Sequence, residues 1–182
     1  GTFTIGNDKY SKVKDINPFD PKYLDWDSAR ENGFSFSFEG GGKDIFGNST
    51  TTATILTMTI YKGKMITLSS DATTTSTDIL GNASESHSLT TYDYVMRDGY
   101  LTYNTITTKT WSSGTDLYGG DWTSDGYVIV QRYAGTKTKY TRSVGKVVDA
   151  YLYTFEIYVK DTKNGTFTIG NDKYSKVKDI NP

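Results

Sequence analysis

The sequence predicts an all-β fold: an antiparallel β-sandwich or partly open barrel built from hairpins, with one short helix near residues 21–32. Three observations carry this expectation. The 182 residues are rich in Thr, Ser, Tyr and Gly; Tyr and Thr suit half-buried sheet surfaces, and Gly suits turns. Apolar residues recur at every second position over several runs, the period of a strand with one face turned inward. Dipeptides such as Lys62-Gly63 and Asp98-Gly99 separate those runs, at the spacing of two-residue hairpins.

The helix comes first. Asp20 suits its cap, Pro21 its first turn and Asn32-Gly33 its end, so the intervening PKYLDWDSARE reads as helical. Tyr23, Leu24 and Trp26 form its expected inward side. After Gly33 the period changes to two. Phe34, Phe36 and Phe38 alternate with Ser35 and Ser37, and Gly40, Gly41 and Gly42 are expected to end that strand. Leu56, Met58 and Ile60 alternate with Thr57 and Thr59 up to Lys62-Gly63, and residues 65–68 return from the turn. Residues 89–96 lead into Asp98-Gly99, the strongest hairpin signal, and residues 100–104 lead out of it.

Residues 127–133 are expected to turn at Ala134-Gly135 into residues 136–141. The longest strand is expected from about 147 to 160, with Tyr151, Tyr153, Phe155, Ile157 and Val159 on one face. Asn164-Gly165 then favours a tight turn into residues 166–169.

Residues 1–18 (GTFTIGNDKYSKVKDINP) recur without one change as residues 165–182. Chance does not produce such a match, and old duplications drift. The chain therefore divides into a terminal segment (1–18), a single β domain (19–164) and a duplicated segment (165–182) expected to complete the last hairpin. The offset of 164 residues is about the size of one domain. The duplicate reads either as the junction of a tandem array or as a copied donor strand. Phe3 and Ile5, repeated as Phe167 and Ile169, are the candidate assembly residues, since alternate side chains of an added strand fill pockets. The second copy follows a strand with which it can pair. The first has no such strand before it and is expected to fray or to engage a neighbouring molecule.

Composition narrows the function. Twenty basic residues stand against 21 acidic ones, with no basic stripe for nucleic acid. There is no cysteine, hence no disulfide and no thiolate metal site. No apolar run reaches the ~20 residues of a membrane span.

The remaining candidates are local. His87 is the only histidine, and without a second one or a G-x-S-x-G elbow it reads as a hydrogen-bonded turn residue rather than a general base. GGGK at 40–43 lacks the spacing of a phosphate cradle. Asp116, Asp121 and Asp125 cluster on a Gly-rich stretch and are the candidate Ca²⁺ ligands, because Ca²⁺ takes carboxylate and carbonyl oxygens. Trp111, Trp122 and Tyr118 flank the same stretch and could stack on a sugar ring. Asn48, Asn82 and Asn164 stand in N-x-[ST] sequons and are glycosylation candidates.

Residues 58–111 resemble, in their run of hairpins, the curved half-barrels of the lipoprotein-carrier type. That resemblance implies a cavity for an apolar ligand.

These observations point to an extracellular structural module of a surface filament, sheath, stalk or repeat adhesin, and not to an enzyme. Its expected partners are copies of itself or adjacent identical repeats, with cell-surface glycans as a further candidate. The alternative is a β module that binds a carbohydrate or an apolar ligand.

Overall fold

The structure is a computed structural model describing residues 2–5, 8–11, 15–124, 126, 128–140, 150–160, 166–169 and 172–180. The chain is all-β, as expected, with one short helix and an antiparallel sheet that does not close on itself. The first copy of the duplicated segment supplies β1 (Thr2–Ile5) and β2 (Asp8–Ser11), which pair with each other in a two-stranded sheet of their own. The strands β3 (Phe34–Lys43), β4 (Ser49–Tyr61), β5 (Lys64–Thr77), β6 (Ala83–Arg97) and β7 (Tyr100–Thr115) form a meander of antiparallel neighbours. It continues through β9 (Val128–Tyr140) and β10 (Ala150–Lys160), while β8 (Asp121–Ser124) pairs with the end of β7. The second copy adds β11 (Thr166–Ile169) and β12 (Asp172–Ile180), giving the order β11-β12-β10-β9-β7-β6-β5-β4-β3.

Lys62 and Asp98 have φ of 47° and 51°, with Gly63 and Gly99 at 79° and 81°. Both turns thus have positive φ at both central residues, the primed geometry whose twist matches a strand pair. Elsewhere the strands outrun the expectation. β3 continues through Gly40, Gly41 and Gly42, which pair with Thr52, Thr51 and Thr50. A Cβ on Gly41 would lie 2.7 Å from the Thr50 carbonyl oxygen, so glycine permits this pairing instead of ending it. β9 likewise runs through Ala134-Gly135 as one strand. Leu152 faces Thr138 and Thr154 faces Ala134, so the extra β9 residues are absorbed in a bulge. Among the described strands the longest is β7, with 16 residues, and β10 has 11.

The expected helix is two elements. Asp20 accepts from Lys22 N at 3.2 Å to cap a 3-10 turn, Pro21–Tyr23. That bond holds the Asp20 carboxyl below its ordinary pKa. Asp25 then accepts from Ser28 N at 3.1 Å to cap α1 (Trp26–Glu31). Two competing N-cap aspartates five residues apart explain the split. It also changes the inward face: Tyr23, Trp26 and Ala29 are buried, whereas Leu24 is 48% exposed.

This helical cap makes the main core. Trp26 meets the rings of Tyr61 and Tyr94 edge-on at 5.6 and 5.3 Å, an arrangement favoured by the ring quadrupoles. Ile60 joins them, with Ile16, Phe34, Ile66, Leu68 and Leu101 packed around. Lys62 N donates to Tyr23 O at 2.9 Å, tying the cap to the β4–β5 turn. The fully buried Thr59 hydroxyl donates to the carbonyl of Ala29, one of the carbonyls that a short helix leaves unpaired at its C-terminal end.

Away from the cap the sheet is held differently. Residues 69–74 of β5 are all half-buried, although successive residues face opposite sides of a sheet. Neither face there is a sealed core. Hydroxyl pairs cross the strands instead: Thr52 to Thr74 and Thr90 to Thr108 at 3.0 Å, and Ser35 to Thr57 at 2.8 Å. Such pairs add a few tenths to 1 kcal/mol each, which is why Thr was chosen where an apolar residue would have found nothing to pack on.

Candidate functional site

The duplicated segment occupies two different settings. In both copies its first half forms the same hairpin: Phe3 faces Tyr10 and Ile5 faces Asp8, as Phe167 faces Tyr174 and Ile169 faces Asp172. Gly6-Asn7 and Gly170-Asn171 are the dipeptides between these strands, a two-residue hairpin signal that competes with Asn164-Gly165. The correction is topological. β10 pairs with β12, from Phe155 opposite Ile180 to Lys160 opposite Tyr174, and β11 is the sheet's outer strand. Asn164 and Gly165 lie outside the described residues.

The segment's second half is where the copies part. In the second copy Asp179 and Ile180 extend β12 opposite Glu156 and Phe155. In the first copy the same dipeptide, Asp15-Ile16, is not in a strand, and Ile16 packs against the Trp26 core. Nor is β1 frayed. It pairs with β2, outside the main sheet.

The acidic cluster has a structural use. Asp116 Oδ1 accepts from Tyr118 N at 2.9 Å and from Gly120 N at 2.7 Å, closing the loop between β7 and β8. Asp121 pairs with Thr115 at the start of β8, and Asp125 lies outside the described residues. Among the described residues no three His, Asp or Glu side chains gather as a metal site. Two sequon asparagines are loop-closing groups as well. Asn48 Nδ2 donates to Asp44 Oδ2 at 2.8 Å, and Asn82 Nδ2 donates to Asp78 Oδ2 at 2.7 Å. These bonds, foremost among several, hold both carboxyls below their ordinary pKa.

His87 sits within β6, not in a turn. It faces Thr73 on one side and Trp111 on the other. Its Nδ1 lies 3.0 Å from the Thr73 hydroxyl, its Nε2 2.5 Å from Glu85 Oε1, and its ring stacks on Trp111 at 4.9 Å. One face of Trp111 is thereby covered. Trp122 is paired with Gly114, whose Cβ would come within 2.6 Å of the indole. Gly114 is three residues from Trp111 on β7, so the two indoles take opposite faces of the sheet. Tyr118 stands alone at a loop tip, 93% exposed. These three aromatics therefore do not form one sugar platform.

A cleft of about 590 Å³ lies between the Lys62-Gly63 and Asp98-Gly99 hairpins, lined by Tyr61, Tyr94, Tyr100, Tyr103, Met65 and Leu101 among others. Tyr94 donates to Thr67 O at 2.8 Å. Burial first, and then Tyr103, push its phenol well above the ordinary range. Lys62 Nζ lies 5.1 Å over the Tyr61 ring. The cleft lies within residues 58–111, the stretch whose resemblance implies a cavity, but two turns far apart in the chain build it.

Three matched loops were missed. Asp44-Ile-Phe-Gly-Asn48, Asp78-Ile-Leu-Gly-Asn82 and Asp116-Leu-Tyr-Gly-Gly120 share a pattern. In each, the Asp N donates to the fifth residue's carbonyl at 2.9–3.0 Å, and the Gly N donates back to the Asp carbonyl at 3.0–3.1 Å. Their glycines have φ of 98°, 87° and 78°. These are three-residue hairpin loops ending on a glycine in positive φ. The recurring D-[IL]-x-G-[NG] was the signal available in the sequence.

Comparison with protein-family models, with curated proteins and with solved structures finds no match to this chain. Among the described residues no helix is long and apolar enough to cross a membrane.

Proposed function

We propose that the chain is a structural module of an extracellular array, of the filament, stalk or repeat-adhesin kind, joined through the duplicated segment. One observation carries the reading. The same dipeptide, as Asp179-Ile180, extends the strand beside β10 and, as Asp15-Ile16, brings Ile16 against the helical cap. A single copy placed between two units would serve both. Its hairpin and the strand as far as the position of Lys178 would finish the sheet before it, and the strand's last two residues would leave that sheet to enter the cap of the unit after it. Linkage in one chain makes that docking intramolecular, with a high effective concentration. The Thr-, Tyr- and Gly-rich, cysteine-free composition supports an exposed structural role.

The same geometry supports assembly by strand addition when the segment comes from another molecule. A chain lacking residues 165–182 leaves β10 without β12. It is expected to form head-to-tail oligomers, each β10 edge taking the N-terminal segment of a neighbour, a contact that does not close on itself. Light scattering coupled to size exclusion should show a ladder of sizes that collapses to monomer when the free 18-residue peptide is added. A truncated chain that stays monomeric with unchanged melting would overturn strand exchange between molecules, leaving the tandem array with its first copy in the place of the second.

The cleft between the Lys62 and Asp98 hairpins is the feature that would carry the alternative, an apolar or sugar ligand. Its tyrosines offer both ring faces and hydroxyls.

A further inference from the structure

The three matched loops lie at one end of the sheet, because they join β3 to β4, β5 to β6 and β7 to β8, in a meander whose neighbours follow chain order. Successive loops are two strands apart, about 10 Å at the usual strand spacing. Each presents two large apolar side chains to solvent. Ile45 and Phe46 are 93% and 72% exposed, Ile79 and Leu80 63% each, and Leu117 and Tyr118 55% and 93%. Six such residues on three loops of one design do not arise from a need to fold, since none of them is buried.

The loops are built to hold those residues outward. Asp44 and Asp78 each accept two backbone N–H bonds through Oδ1 and one Asn amide through Oδ2. Their charge is thereby turned into the loop, and the tip residues themselves carry none. Asn48 Oδ1 accepts from Ile79 N at 3.1 Å, which ties the first two loops together. Behind the tips the strands turn polar at once, with Ser49, Thr50 and Thr51, then Thr75, Ser76 and Thr77, then Ser84 and Glu85.

We infer that this row of tips docks shallowly into the interfacial layer of a lipid bilayer. A protein partner would need three rigid pockets at the matching spacing, with polar groups between them. A fluid headgroup boundary closes around separate apolar knobs without such matching, and the hydroxyl-bearing strands behind them suit the headgroup layer. The aspartates at the loop bases, with no Lys or Arg among the fifteen described residues of the three loops, favour a zwitterionic surface over an anionic one. The contact is independent of the array reading, although an array would multiply it.

The test is sedimentation of the intact chain with phosphatidylcholine vesicles. Binding is expected, with little dependence on salt. Replacing both apolar residues of a tip by serine (Ile45→Ser with Phe46→Ser, Ile79→Ser with Leu80→Ser, Leu117→Ser with Tyr118→Ser) should weaken partitioning by about tenfold per tip, since affinity follows the apolar area inserted. Far-UV dichroism should not change, as all six side chains are exposed. A Tyr118→Trp chain should shift its added emission to the blue on mixing with vesicles. No vesicle binding, or undiminished binding with all three tips replaced, overturns the inference. So does binding confined to phosphatidylglycerol vesicles at low salt. A change of oligomer size on tip replacement, without vesicle binding, would assign the row to a second copy of the chain instead.

Discussion

Trp26→Ala is expected to lower the free energy of unfolding by about 3–5 kcal/mol, the usual range for a buried large aromatic cut to alanine. The site leaves little room to compensate. Trp26 is 6% exposed and touches Tyr61 of β4 and Tyr94 of β6, so its loss separates the cap from two strands at once. Few other described side chains are fully buried: Val128 and Val130 form the only apolar ones outside this cluster. Urea unfolding of the full chain measures the effect. Leu24→Ala is the control, and at 48% exposure it should stay within about 0.5–1 kcal/mol. Equal effects at the two positions would mean that the cap is not the core.

Thr59→Val should destabilise by about 1–3 kcal/mol although it is nearly isosteric and more apolar. Thr59 is fully buried and its hydroxyl serves the Ala29 carbonyl. Valine would leave that carbonyl facing a methyl group, with no water to replace the donor. Thr59→Ser keeps the hydroxyl and should recover part of the loss. Valine at or above wild-type stability would show that the hydrogen bond contributes nothing net.

Much of this fold was legible before the structure. The Lys62-Gly63 and Asp98-Gly99 turns, the alternation from Leu56 to Ile60 and the cap around Trp26 all follow from local chemistry. What misled were glycines judged by type and not by setting. Gly40, Gly41 and Gly42 lie inside β3, and Gly135 falls within β9, in the stretch where its register with β10 slips. Whether a glycine ends a strand depends on what the neighbouring strand brings close, and that is not local information. The long strands were underestimated because Thr and Ser runs look like loops until they are paired with one another across a sheet.

The duplicate was the clearest signal in the chain, and its partner was nevertheless misassigned. Two turn dipeptides competed, Asn164-Gly165 and Gly170-Asn171, and the strand order shows β10 beside β12. The candidate surfaces were less legible still. Asp116 reads in the sequence as a candidate Ca²⁺ ligand and Asp44 and Asp78 carry no signal of their own; only the shared loop geometry brings the three together. The tyrosine cleft depends on two hairpins separated by 36 residues.

The central claim is that one copy of the segment can serve two units. The most direct measurement is amide hydrogen exchange on a chain extended by one period, residues 1–182 followed by a second 19–182. Its middle copy then lies between two units. An isolated two-stranded hairpin is marginal in water, so the first copy should exchange fastest. The middle copy should be protected over the positions equivalent to β12, as far as that of Lys178, as strongly as the last copy is. A middle copy exchanging as fast as the first would contradict the account.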